Sequence, residues 1–257
     1  MTTAVLQFLV QLLVLAFGAL ALAVARSRGA MPALHRAGWT VAAIFFLWRG
    51  VSGVAQSTAA FWALLAGEGS APYALFLEWG PTMNHTRTLI AVATGWTLAA
   101  LPLLRAPSGP ALALRLNAAC LVLAGTGAYA GWREGAISLH HLTSLTVLGA
   151  VELIGLLFAL FVGLLAYTLD RYLWVALCLY AVQVALDVVW YTATAGFFYP
   201  GGWVPPQPVR YLYSAAVMLA GCALAWHRLA LARRGARILG LFEPAGGGTV
   251  PAHGPRS

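Results

Sequence analysis

Charged residues are scarce in this 257-residue chain, at 9% of the total, and acidic residues are the scarcest of them, with 7 in all. Soluble domains carry about 25% charged residues. Apolar residues make up 61% of the sequence, and the mean hydropathy is +0.81. So few charges cannot cover a water-facing surface, and the composition therefore predicts a membrane protein instead of an ordinary soluble domain.

Cysteine is also rare, and its number is odd. Cys120, Cys178 and Cys222 all lie inside apolar stretches. Small secreted domains held by disulfides carry an even set of cysteines in a short, loop-rich chain. That class is excluded, and we expect the three thiols to pack as small apolar side chains.

Long apolar runs dominate the sequence instead. Runs of about 18 or more apolar residues are typical of transmembrane helices. Seven such runs cover residues 4–25, 38–66, 86–104, 112–131, 142–168, 172–198 and 209–230. We therefore predict an all-α fold: a polytopic bundle of seven transmembrane helices over residues 1–235. We expect the short tail, residues 236–257, to be cytoplasmic and disordered.

Lysine is absent, so every one of the 15 basic residues is an arginine. Retinal proteins also have seven membrane helices, but they hold their chromophore as a Schiff base on a lysine amine. The absence of lysine excludes that chemistry. The bias toward arginine is typical of a GC-rich bacterial genome, and we expect a multi-pass protein of the bacterial inner (plasma) membrane.

The arginines are concentrated in alternate connections between the predicted spans. Arg87, Arg133 and Arg210 lie on one side, and Arg49 lies within a span. The opposite side holds Arg26, Arg28, Arg36, Arg105, Arg115, Arg171, Arg228, Arg233, Arg234, Arg237 and Arg256. The positive-inside rule then predicts an outside N-terminus and an inside C-terminus. The net charge of +8 is thus explained by topology, and it indicates the lipid bilayer, not nucleic acid, as partner.

Three ionisable residues, Arg49, Glu152 and Asp187, fall inside predicted spans. They lie about 16, 15 and 22 Å from the starts of their spans, in a hydrocarbon core about 30 Å thick. A charge at that depth costs at least about 2.5 kcal/mol, so such residues face each other or a wet cavity. We expect a binding or proton-carrying site. The alternative is an ion pair that only joins helices.

Further polar residues share these helices. Gln183 lies one turn before Asp187, and Tyr191 lies one turn after it, on the same helical face. Two carboxylates and one guanidinium leave a surplus negative charge, which favours a proton, a cation or a cationic substrate. The predicted ligand- or proton-binding residues are Arg49, Glu152, Asp187, Gln183, Tyr191 and Gln56.

Histidines form a second possible site. His85, His140 and His141 open two of the predicted spans near the outer face. Imidazoles from two helices can hold a haem or, together with carboxylates, a metal ion. No metal-binding spacing accompanies them, so hydrogen bonding to water or lipid headgroups is the alternative.

The sequence contains a faint internal repeat. Residues 10–22 resemble residues 151–163, which pairs Gln11 with Glu152, and the following spans pair Arg49 with Asp187. Spans one to three would then match spans five to seven, with span four between them. Such a 3+1+3 parallel repeat is known from small transporters.

No hydrolase motif or phosphate-binding loop is present, so an enzyme is not predicted. The midplane charges favour a transporter of a small molecule, an ion or protons, or a ligand-binding membrane protein. Two alternatives stay open. One is an accessory or sensory subunit of a larger membrane complex, which would bring other membrane subunits as partners. The other is a redox subunit that carries a haem or metal.

Overall fold

The computed structural model describes residues 2–27, 31–67, 69–101, 137–165, 169–194 and 207–234. All secondary structure in these ranges is helical, which confirms the predicted all-α class. The helices are α1 (Thr2–Ala25), α2 (Ala33–Ala66), α3 (Ala71–Ala100), α4 (Ile137–Leu165), α5 (Arg171–Thr194) and α6 (Gln207–Arg233). The predicted fourth span, 112–131, and the predicted tail, 236–257, lie outside the described residues.

Among the described residues, four helical segments are long and apolar enough to cross a membrane: Val5–Ala25, Ala33–Ala63, Arg171–Trp190 and Pro208–Arg233. Shorter apolar segments occur in α3 and α4, at Ile90–Ala100 and Gly149–Leu164. By length and composition these helices indicate a membrane protein.

Helix α3 begins well before the predicted span at residue 86. Its N-cap is Ser70, whose side-chain oxygen accepts a hydrogen bond from the Tyr73 N–H at 3.3 Å. The helix continues through Gly80 and Pro81. The apolar run alone predicted a span from residue 86, with residues 67–85 as an outer connection that contains a short helix around Tyr73–Trp79, whereas the structure has one continuous helix from Ala71. A long apolar helix tolerates proline when its surroundings satisfy the freed backbone groups.

The six described helices form a closed ring. Each helix packs against the next one along the chain, and α6 packs against α1. We call the end of the ring at which α1 begins the upper end, and the opposite end the lower end. Gly53 lies against Gln11 and Gly18 against Leu47, so α2 runs antiparallel to α1 and returns to the upper end.

The same reasoning fixes the directions of the other helices. Gly38 and Leu101 lie close together at the lower end, where α3 finishes. Gly149 lies against Val188 and Gly163 against Leu169, so α4 and α5 are antiparallel. Since α5 rises beside α2, α4 descends from the upper end to the lower end, and it runs parallel to α3.

Helix directions agree between the two halves of the ring. α1, α2 and α3 descend, rise and descend, and α4, α5 and α6 do the same in the same neighbour order. Arg49 and Asp187, one of the pairs suggested by the sequence repeat, do not share one depth, because Arg49 lies level with Tyr180, about two turns below Asp187. The order of helices therefore suits a parallel repeat, while the repeat itself stays a prediction.

The core below mid-height is aromatic. Trp39, Phe46, Tyr180 and Phe17 are almost fully buried, and Phe46 makes edge-to-face contacts with Phe17 and Tyr180 at centroid distances of 4.6 and 5.2 Å. Large apolar side chains also cover much of the outer surface of the ring, among them Ile44, Trp62, Leu65, Val189 and Leu212. Water would not favour so much exposed apolar area, whereas lipid chains would.

Candidate functional site

Three helices meet at a buried polar triad formed by Arg49 of α2, Tyr180 of α5 and Glu152 of α4. The Tyr180 hydroxyl donates a hydrogen bond to Glu152 Oε1 at 2.6 Å, and Arg49 Nη1 donates to the Tyr180 hydroxyl oxygen. Arg49 Nη1 lies 3.8 Å from Glu152 Oε1. The guanidinium and the carboxylate are thus within ion-pair range, but the tyrosine hydroxyl forms the short contacts to both.

The surroundings of the triad are apolar on the lower side. Phe45 and Phe46 pack edge-to-face on the Tyr180 ring, at centroid distances of 5.8 and 5.2 Å. The Arg49 guanidinium lies over the Phe45 and Tyr180 rings, at 5.9 and 5.3 Å from their centroids. Such contacts stabilise a cation away from water. The Glu152 side chain is 6% exposed and that of Arg49 is 19% exposed. The side of the triad that is more open to its surroundings is therefore the side of Arg49.

Sequence reasoning named Arg49 and Glu152 but missed Tyr180. A tyrosine in an apolar helix usually belongs to the core or to the membrane interface, so it carries little information alone. A signal was present in the spacing, because Tyr180, Gln183 and Asp187 recur at three and four residues and therefore share a helical face.

Asp187 belongs to a different pair, closer to the upper end. Arg210 Nε of α6 donates to Asp187 Oδ1 at 2.6 Å, and each side chain is 17% exposed. The guanidinium also lies 4.5 Å from the Trp190 ring centroid. The sequence assigned Arg210 to a connection, but it occupies the first turn of α6, from which a long side chain reaches α5. The predicted surplus of negative charge is therefore balanced, since Arg210 is a fourth member of the set.

A third ion pair lies at the lower end. Arg228 Nε of α6 donates to Asp170 Oδ2 at 2.6 Å, with exposures of only 3% and 2%. Asp170 Oδ1 also accepts the Tyr172 N–H at 2.9 Å, so the same carboxylate caps the N-terminus of α5. Sequence reasoning missed this pair because both residues lie near span ends, where charges are ordinary.

Buried amides and hydroxyls occupy the upper half of the ring. Gln56 and Gln183 are both more than nine-tenths buried, and Gln183 Oε1 has no hydrogen-bond partner among the described residues. Ser57 is similarly buried and its hydroxyl similarly lacks a partner there. Gln11 of α1 places its amide against Gly53, where a Cβ would lie 2.0 Å from Gln11 Oε1. The predicted residue Tyr191 lies in α5, and its side chain is outside the described ones.

The histidines of the predicted haem or metal site lie in two helices. His85 lies in α3, and His140 and His141 lie in the first turns of α4. Their side chains fall outside those described, so a haem or metal at this place stays a prediction. Among the described side chains, no three of histidine, cysteine, aspartate and glutamate converge as metal ligands would.

The polar groups therefore follow a vertical order. The upper half holds the buried amides and the Asp187–Arg210 pair, the triad lies at mid-height, and aromatic rings pack beneath it. Such an arrangement can bind a polar group that enters from the upper end, and it can pass a proton between the tyrosine hydroxyl and the carboxylate.

No family model matches the chain, and neither a curated protein nor a solved structure is significantly similar to it. The class of the protein is accordingly defined by its own fold and composition. It is an all-helical protein whose long apolar helices are of the kind that cross membranes.

Proposed function

We propose that this protein is a multi-pass transporter or ligand-binding protein of the bacterial inner membrane. Its working site is the Arg49–Tyr180–Glu152 triad, and Glu152 takes up and releases a proton there. A small molecule or ion that enters from the upper end is bound between the triad and the Asp187–Arg210 pair.

The observation that carries this proposal is the indirect contact between the two charges of the triad. A carboxylate and a guanidinium that only join helices make charge-assisted hydrogen bonds of about 2.7–2.9 Å. Here the distance is 3.8 Å, and the hydroxyl of Tyr180 lies between them. A carboxylate that is held by a neutral donor can be protonated without leaving a bare guanidinium, because the arginine keeps its hydrogen bond to the tyrosine.

The balance of charge supports a proton as the travelling charge. Arg49 and Glu152 compensate each other, as do Asp187 and Arg210. The sequence alone indicated a surplus negative charge that favours a proton, a cation or a cationic substrate. Because both pairs are balanced, neutrality does not require a permanent cation. Gln183 lies between the two pairs on α5, and its side-chain oxygen, which has no partner among the described residues, is free to accept a hydrogen bond from a ligand.

The direction of the helices supports a seventh crossing. The chain leaves α3 at the lower end and enters α4 at the upper end. The apolar run at residues 112–131 would supply that crossing. With the arginine-rich connections inside, the upper end faces the outside of the cell and the lower end the cytoplasm.

Proton movement through reconstituted protein tests the proposal. The purified chain is placed in liposomes that contain a pH-sensitive dye, and a potassium diffusion potential drives protons inward. We expect a flux that depends on the protein and that falls at least about tenfold in Glu152→Gln, because the amide cannot be protonated.

The matched control is Glu78→Gln, which removes an exposed carboxylate of α3 and should leave the flux unchanged. Both variants are first compared with the original protein by thermal unfolding in detergent. Equal flux through folded Glu152→Gln and the original protein would contradict the proposal, and so would the absence of any flux through the original protein.

A further inference from the structure

One face of α6 at the lower end combines an aromatic ring, apolar side chains and two arginines. Trp226, Leu229, Ala230, Arg233 and Arg234 line a shallow groove there. Their spacing of three, four, seven and eight residues after Trp226 places them on one side of the helix. Trp226 is 59% exposed, and Arg233 and Arg234 are both exposed.

The arginines of this face have no acidic neighbour in the part of the chain that the structure describes. The buried pair of Asp170 and Arg228 is already neutral. Arg171, at the start of α5, adds a further exposed guanidinium at the same end. Arg171 donates a hydrogen bond to the Tyr172 hydroxyl oxygen at 3.0 Å. The Tyr172 ring packs on the His227 ring of α6, with 5.5 Å between the ring centroids. Among the described residues, the lower end thus has more positive than negative charge beside the groove.

The vertical order of the groove matches that of a phospholipid. Trp226 lies seven residues before Arg233. It is therefore about 10 Å farther from the lower end, toward the middle of the membrane. Guanidinium groups bind phosphate with charge-assisted hydrogen bonds, and a tryptophan indole is favoured at the level where headgroups meet acyl chains. Ala230 lies between the two and is partly exposed, so it offers apolar contact, while Leu229 beside it is buried in the core.

We infer that this face of α6 is a binding site for an anionic phospholipid of the surrounding bilayer, such as phosphatidylglycerol. The phosphate lies at Arg233 and Arg234, and the start of an acyl chain lies against Trp226. The inference does not depend on the proposed function of the triad. It requires only that the lower end of α6 lies at a membrane surface.

Quenching of tryptophan fluorescence by brominated lipids measures this binding directly. The full-length protein in mild detergent is titrated with brominated phosphatidylglycerol or with brominated phosphatidylcholine. We expect quenching at lower mole fractions of the anionic lipid. The chain has 10 tryptophans, so the part that belongs to the site is the part that disappears in Trp226→Phe.

Removal of the two arginines should abolish the preference for the anionic lipid. Each basic residue near a membrane surface contributes about a fivefold gain in affinity, so Arg233→Gln with Arg234→Gln should weaken the anionic lipid about 25-fold. The matched control is Arg26→Gln with Arg36→Gln, which removes two exposed arginines from the lower ends of α1 and α2 and should change little.

Three outcomes would overturn the inference. They are equal quenching by the two lipids, a preference that survives the loss of Arg233 and Arg234, and equal loss in the control variant. Inorganic phosphate, added against chloride at the same ionic strength, distinguishes the source of the phosphate group. Displacement of the lipid by free phosphate would indicate a soluble anion as the ligand and would also overturn the inference.

Discussion

Helices α5 and α6 are joined by two ion pairs of the same chemistry in different surroundings. In each pair the Nε of an arginine in α6 donates to an aspartate, at an N–O distance of 2.6 Å. Asp187 lies within α5, and Asp170 is the N-cap of that helix. At the lower end Asp170 and Arg228 are 2% and 3% exposed, whereas at the upper end Asp187 and Arg210 are each 17% exposed. The pairs lie about 25 Å apart along α5.

The difference in burial assigns the two pairs different roles. A buried charge that loses its partner is left uncompensated, so the lower pair fixes α5 to α6. The upper pair is partly exposed, so solvent and ions screen it more than the lower pair and it can open at a lower cost. The triad lies between them in height. The ring is therefore expected to be rigid at the lower end and to admit a ligand at the upper end.

The largest effect is expected from Arg228→Gln, which leaves Asp170 buried without a cation. Breaking one partner of a buried pair costs about 3–5 kcal/mol. The free energy of unfolding in mixed micelles of mild detergent and SDS measures this loss. Arg210→Gln at the upper end is the matched control, and its loss should be at most about 1 kcal/mol. Equal losses would remove the distinction between the two ends.

A smaller loss of stability is expected from Tyr180→Phe. The substitution keeps the aromatic contacts with Phe45 and Phe46 but removes the hydroxyl that joins Arg49 to Glu152. Leaving buried polar groups without that partner costs about 1–3 kcal/mol. Tyr172→Phe, which loses only an exposed contact with Arg171, should cost less under the same unfolding conditions. A larger loss in Tyr172→Phe would mean that the triad does not stabilise the ring.

The lower pair should tolerate removal of both charges better than removal of one. In Asp170→Asn with Arg228→Met, no charge is left buried, and the asparagine oxygen can still cap α5 through the Tyr172 N–H. Paired replacement of buried ions by neutral groups is often close to neutral in stability. We expect the double variant to unfold at a higher SDS fraction than Arg228→Gln alone. A double variant as unstable as the single one would show that the pair acts through more than its charges.

The contrast between the ends also shows what the sequence could predict. Hydropathy and the shortage of charge predicted the all-α class, because a bilayer admits few structures other than apolar helices. Depth along the predicted spans placed Arg49 and Glu152 at a similar level, and their side chains lie 3.8 Å apart. These inferences need only composition and rise per residue, both of which the sequence contains.

The remaining features depend on contacts between helices. Arg210 reaches Asp187 across the α5–α6 contact, and nothing in the local sequence distinguishes it from an arginine in a connection. Tyr180 was missed because its role comes from the two helices that face it. The start of α3 was placed too late because the predicted span followed the apolar run, and only Ile90–Ala100 of this helix is a described apolar segment.

The smallest effect on stability is expected from Asp187→Asn, and its dependence on salt is the sharpest test of the upper pair. Because both side chains are partly exposed, their attraction is screened by ions, and the Debye length falls from about 10 Å at 0.1 M salt to about 3 Å at 1 M. The difference in unfolding free energy between Asp187→Asn and the original protein should be at most about 1 kcal/mol at low salt and should shrink further at 1 M. The loss in Arg228→Gln should stay nearly constant over the same range, since ions do not enter the buried pair. If salt changed the losses of stability in Asp187→Asn and Arg228→Gln equally, water and ions would reach the two ends alike. The difference in burial would then not support the upper end as the entrance to the triad.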